Sequence, residues 1–164
     1  MKPLVTTLLS VVASAGLVAC GGDDDPLELT SSGACGDAFF WATDEAGHVA
    51  VTVRVEARDR STTEPVTDEF TVPDDAVEVV VVEGEDLGRL YCTDLPGTRA
   101  AERSRIDVVA GEGSVTLGPR PEDAEMTPCG SVPGELQLTG LEADDGTRFA
   151  PIRVRTEEIG CYAG

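Results

Sequence analysis

Lysine is almost missing from this chain: Lys2 is the only one, and His48 is the only histidine. Aromatic residues are scarce too, with 1 Trp, 2 Tyr and 4 Phe in 164 residues. Basic side chains as a whole are outnumbered, 12 Lys and Arg against 31 Asp and Glu, for a formal net charge of −19. Each shortage excludes something. The charge imbalance repels both nucleic acid and an anionic membrane surface. Nucleophilic catalysis needs a Ser or Cys near a base, but the sole His48 starts a strand after a tight turn, and Gly113-Ser114-Val115 lacks the G-x-S-x-G elbow. Zinc would need several His or closely spaced Cys, and neither occurs. No phosphate-cradling G-x-x-x-x-G-K-[ST] or G-x-G-x-x-G run appears. Seven aromatics for core and surface together leave few to line a sugar groove.

The first twenty residues are an address. Met1-Lys2-Pro3 is a short basic start, and residues 4–18 are largely apolar. A basic start, an apolar stretch and small residues before a cut make a secretory signal peptide. The stretch falls short of the roughly 18 residues that a stable membrane span needs. Leu17-Val18-Ala19-Cys20 resembles the lipobox of bacterial lipoproteins. The resemblance implies a diacylglycerol on the Cys20 sulfur and cleavage before it, so that 1–19 is the signal peptide. It implies a lipid-anchored protein of the cell envelope, its membrane contact made through Cys20. In such proteins an Asp directly after the lipidated Cys resembles an inner-membrane retention signal. Here that position is Gly21, which implies sorting to the outer membrane where a cell has one.

Residues 20–33 read as the lipidated Cys and a flexible tether, because Gly21-Gly22-Asp23-Asp24-Asp25-Pro26 and Thr30-Ser31-Ser32-Gly33 bury little apolar surface. With 1–19 removed, Lys2 goes as well, and 11 Arg remain against 31 acids, a net charge near −20.

Residues 34–164 make one domain whose dominant period is two. Val49, Val51, Val53 and Val55 share one face of a half-buried strand. Phe39-Phe40-Trp41-Ala42-Thr43 precedes it across the turn Asp44-Glu45-Ala46-Gly47, a hairpin pattern. Val77, Val79, Val80, Val81 and Val82 form a near-continuous β-branched run, expected of a central strand buried on both sides. Further strands are expected at Glu69-Phe70-Thr71-Val72, Arg89-Leu90-Tyr91-Cys92-Thr93, Glu135-Leu136-Gln137-Leu138-Thr139 and Thr147-Arg148-Phe149-Ala150. Ile152-Arg153-Val154-Arg155 places both arginines on one face. Residues 105–109 and 114–117 flank Ala110-Gly111-Glu112-Gly113 as a second hairpin. Eight to ten short strands without an amphipathic helix indicate an all-β fold. The expected form is a single antiparallel β-sandwich of the immunoglobulin-like or a related Greek-key type.

Four cysteines remain after Cys20, and export places them in an oxidising compartment. Three pairings exist, of which Cys35–Cys92 with Cys129–Cys161 lets each half close without crossing the other. The first bond would tie the aromatic cluster around Trp41 to Tyr91 inside the core. No cofactor and no metal site is expected, and no catalytic residue is assigned. Asp44-Glu45 and Asp144-Asp145-Gly146 are loop acids of the type that binds calcium, but they lack the D-x-[DN]-x-[DN]-G spacing and serve turns first. Acid pairs such as Asp74-Asp75 and Glu157-Glu158 arise by abundance. The expectation is a non-catalytic binding or structural role at the bacterial envelope, with an envelope protein or glycan as partner and no nucleic acid. Two alternatives are a carboxylate-based hydrolase and a calcium-stabilised adhesion module.

Overall fold

The computed structural model describes residues 25–36, 38–56, 63–93, 101–119 and 132–159. Among them run eight strands: β1 (Ser31–Cys35), β2 (Phe39–Thr43), β3 (Val49–Val55), β4 (Val66–Val72), β5 (Val77–Glu85), β6 (Ala101–Leu117), β7 (Val132–Ala143) and β8 (Ile152–Ile159). All pair antiparallel, in the order β1-β2-β3-β5-β6-β7-β8, with β4 added on β6. Strand β8 returns alongside β1, so the sheet is nearly closed into a barrel-like shape.

The valine pattern explains the centre of this sheet. In β3, Val51, Val53 and Val55 point inward, and the facing residues of β5 are Val81, Val79 and Val77. These six join Phe40, Val115, Leu136 and Leu138 in the principal core. The alternate residues of β5, Val80 and Val82, are buried as well, but on the outer face, in a second cluster with Ala50 and Leu87. The central strand is therefore covered on both sides, as its β-branched run indicates.

Strand β6 joins the two halves of the sheet. Its residues 101–107 pair with β5, and residues 111–117 pair with β4 along the same edge. The other edge takes β7 from Val108 onward. Register shifts between Val108 and Glu112 bend the strand where it changes partners, and Gly111 sits there at φ +152°. A bulge of this kind bends the strand and raises its local twist.

Four expectations change. The hairpin over residues 105–117 is one continuous strand, because the Gly-Glu-Gly run supplies a bulge instead of a reversal. Residues 89–93 are not a strand: Leu87–Arg89 form a single 3-10 turn, and the chain then lies across the sheet. Residues 147–150 make only isolated bridges, Glu142 with Arg148 and Leu27 with Phe149. Residues 27–33, expected to belong to a flexible tether over 20–33, are docked on the domain. Leu27 donates its N–H to Arg148 and accepts one from Ala150, Leu27 and Leu29 pack on the core, and Ser31–Cys35 is strand β1. Two apolar side chains among the polar ones suffice to dock this stretch.

Candidate binding cleft

The outer face of β2, β3 and β5 carries a strap. Strand β5 ends at Glu85, and Asp86 turns the chain at φ +56°. Leu87 is fully buried, and its N–H donates to the Gly47 carbonyl at 3.0 Å. Leu90 and Tyr91 then cover Val80, Val82 and Ala50. Cys92, at φ +57°, closes the strap through a disulfide to Cys35 at the end of β1, with Cα atoms 5.7 Å apart. The expected Cys35–Cys92 bond is present. Its setting differs from expectation: Cys92 is exposed, and the aromatic cluster it holds lies outside the principal core.

That cluster is compact. The Tyr91 ring stands 5.6 Å from Phe39 and 5.9 Å from Trp41, tilted 54° and 36°. These separations are in the range where aromatic pairs attract. Trp41 lies over Gly33, its register partner in β1; a Cβ there would meet the indole Cζ2 at 2.7 Å. The glycine is what lets the indole lie flat. The Trp41 Nε1 and Tyr91 hydroxyl are both buried with no hydrogen-bond partner among the described residues. An unsatisfied buried polar atom costs about 1–3 kcal/mol. Burial, and then the charge of Glu102, push the Tyr91 hydroxyl up to about 12.

Beside Tyr91 opens a cleft of about 360 Å³. Its floor is Phe39 and Thr52, and its roof is Leu90 and Tyr91. On one side stand Glu102 and Arg105 from β6, on the other Arg54 from β3 and Glu78 from β5. Arg105 grips one oxygen of Glu102 with Nε at 3.0 Å and Nη2 at 2.9 Å, which holds its guanidinium even more firmly charged. Arg54 and Glu78 are direct cross-strand partners, yet neither makes an ion pair among the described residues. The cleft is thus locally neutral, two cations against two anions, on a strongly acidic molecule. It has an apolar aromatic interior and, at its rim, one charge of each sign that makes no ion pair among the described residues, Glu78 also acting on Arg105 through its charge.

Other marked residues are occupied in holding the fold. Asp44 Oδ1 accepts the N–H groups of His48 at 2.7 Å and Val49 at 2.9 Å, which closes the β2–β3 turn, and His48 is exposed. Asp145 accepts the Thr147 N–H at 2.9 Å, which lowers its pKa. Asp74 accepts the Ala76 N–H at 2.7 Å at the entry to β5. Among the described residues no group of three His, Cys, Asp or Glu is placed to hold a metal ion. Arg153 and Arg155 do share a face. They clamp the two oxygens of Glu135, from Nη2 at 2.6 Å and 2.7 Å, and hold that carboxyl down at about 2. An open hollow of about 650 Å³ is lined by Glu69, Asp74, Glu112 and the half-buried Ser114, whose cross-strand partner is Glu69. Cys20, Cys129 and Cys161 lie outside the described residues, as does the signal peptide.

What the sequence marks near the cleft is the Cys35–Cys92 pair beside it and the aromatic residues that this bond draws together. Leu90 and Tyr91 next to Cys92 show that something apolar is pinned there, but not that it is a roof. The Arg54–Glu78 juxtaposition exists only once the β3–β5 register is known. Comparison with protein-family models, with curated proteins and with solved structures finds no match for this chain, so its cleft must be interpreted from its own chemistry.

Proposed function

We propose that this chain is a lipid-anchored envelope protein that binds a ligand without catalysis, its cleft under the strap being the binding site. The observation that carries the anchoring is Leu17-Val18-Ala19-Cys20 at the end of a basic-then-apolar leader. Two or more acyl chains on and beside one Cys hold a protein to a bilayer far more firmly than one chain does. The observation that favours binding over a purely structural role is the cleft itself. It combines an aromatic wall with unpaired charges at the rim, the arrangement by which small sites orient a ligand. On this reading the two groups of strands joined through β6 are the layers of a Greek-key sandwich, with the principal core between them.

A hydrolase built on carboxylates would want one acid with a raised pKa. Among the described residues the two carboxylates whose pKa departs from the ordinary range, Glu135 and Asp145, are both lowered. The acids considered for calcium accept backbone N–H groups of their own turns. Neither alternative draws a specific supporting observation.

The anchoring is tested by metabolic labelling with palmitate and by globomycin, which blocks the lipoprotein signal peptidase. The wild-type chain should take up label and accumulate as a larger precursor under globomycin. Cys20→Ala should do neither. Label retained by Cys20→Ala would overturn the anchor.

A further inference from the structure

The cleft's rim says which class of ligand it takes. Arg54 and Glu78 face each other across adjacent strands, so their Cβ atoms stand about 4.5–5.5 Å apart. Both side chains are exposed and neither is consumed by an ion pair among the described residues. The other two charges of the cleft are committed: Arg105 is bound through two nitrogens to Glu102. What remains for a ligand is one guanidinium, one carboxylate, and behind them the rings of Phe39 and Tyr91 with Leu90.

We infer that this cleft binds a small zwitterion of the α-amino-acid type with an apolar side chain. The carboxylate would meet Arg54 in a forked contact, the ammonium would meet Glu78, and the side chain would enter between Phe39 and Tyr91. Three observations exclude the simpler classes. A plain anion is opposed by Glu78 at the rim and by the excess of acids over the whole chain. A plain cation is opposed by Arg54. A neutral apolar ligand would cover both charges and satisfy neither, which is costly. A zwitterion carries opposite charges a few ångströms apart, which matches the spacing of the cross-strand pair. The volume of about 360 Å³ is at the low end for ligand sites, which suits one residue and not a chain.

This inference rests on the cleft being the binding site and is independent of the lipid anchor. The test is calorimetry on the full exported chain, purified from membranes in mild detergent. Three probes are compared: phenylalanine, N-acetyl-phenylalanine, which lacks the ammonium, and phenylalaninamide, which lacks the carboxylate. Phenylalanine should bind, and each capped analogue should be at least about tenfold weaker. Arg54→Gln should weaken phenylalanine by a similar factor and leave phenylalaninamide unchanged. Glu78→Gln should weaken phenylalanine and leave N-acetyl-phenylalanine unchanged. Both positions are exposed, so the variants should fold, which an unchanged melting temperature verifies. Equal affinity for all three probes, or phenylalanine binding indifferent to both substitutions, would overturn the zwitterion. If one capped analogue binds as well as phenylalanine and responds to Arg54→Gln or Glu78→Gln, the ligand class is wrong while the cleft reading stands. No heat with any probe overturns the ligand class, and palmitate labelling is unaffected by that outcome.

Discussion

The disulfide that closes the strap should be a principal source of stability, and removing it should expose the aromatic cluster. Cys35 and Cys92 are 57 residues apart in sequence. In the chain-entropy model a loop of that length restricts the unfolded chain by about 14 cal/mol/K, or about 4 kcal/mol near room temperature. Part of this is returned on the native side. Cys92 is held at φ +57°, a conformation that costs a non-glycine residue about 1 kcal/mol, and the freed strap can leave it. The net loss in a Cys35→Ser/Cys92→Ser double variant should therefore be about 3 kcal/mol. The double variant avoids a stray thiol that could exchange with the remaining cysteines. Trp41 is the only tryptophan and sits beside Tyr91, so its emission reports the strap directly. In urea, with a slope of about 1–3 kcal/mol/M, the midpoint should fall by roughly 1–3 M. Before unfolding begins, emission should already be red-shifted, because Tyr91 no longer covers the indole. A midpoint unchanged within about 0.3 M, with native emission, would refute both the entropy argument and the strap's role. Peptide mapping of the unreduced protein supplies the independent check: a Cys35–Cys129 or Cys35–Cys161 peptide would overturn the pairing itself. A Cys129–Cys161 peptide is expected beside it.

Three further outcomes follow from the packing and the ion pairs. The Glu135 carboxyl is held at about 2, below its unfolded value of about 4.3, so its contribution is fully present above the higher value and lost as pH falls toward the lower. Glu135→Gln should lower the melting temperature at neutral pH, with the gap from wild type closing near pH 2. A gap that stays constant across the acid range would contradict the clamp. Gly33→Ala should drive the indole of Trp41 off β1, shifting its emission at a cost of about 1–3 kcal/mol; unchanged emission would remove the close approach from the account. Leu136→Ala, at a side chain 1% exposed in the principal core, should cost about 2–5 kcal/mol in urea unfolding, and a loss under 1 kcal/mol would show that the core closes over the gap.

How much of this was legible in the sequence depended on whether a signal was local. The Val49–Val55 alternation and the Phe39–Thr43 strand are local patterns, and the structure places strands with those bounds. Strand burial on both faces showed in the valine run of β5. The Arg153–Arg155 spacing correctly placed both guanidinium groups on one side, although their common target, Glu135, is supplied by the neighbouring strand. Glycine was the main source of error. Gly111-Glu112-Gly113 permits either a two-strand reversal or a bulge, and only the partners of β6 on both edges decide between them. Residues 89–93 alternate like a strand, but a strand there would need an open sheet edge, and the disulfide instead draws them across a face. Residues 31–33 are polar and small, so nothing local marks them as β1; their ladder to β2 does that. The cleft was illegible for the same reason, since its two rim charges are 24 residues apart and meet through register alone.

The strand directions also bear on how a tethered cleft would be presented. The described chain enters the fold at Leu27, which bridges to Phe149 at the turn between β7 and β8. From there β1 runs from Ser31, opposite Thr43, to Cys35, opposite Phe39. Phe39 in turn pairs with Arg54, and Arg54 with Glu78. The rim of the cleft therefore lies at the far end of β1 from the point of entry, four residues or roughly 13 Å along the strand. If Cys20 carries the lipid as proposed, the seven steps from Cys20 to Leu27 span at most about 25 Å. That is close to half the reach of a tether running to Gly33. The β7–β8 turn lies beside the same stretch of sheet as the rim, because Asp144 donates its N–H to the Asp107 carbonyl at 2.9 Å and Asp107 pairs with Val80, two residues along β5 from Glu78. The shorter reach follows from two apolar side chains, Leu27 and Leu29, which pack on the core ahead of β1.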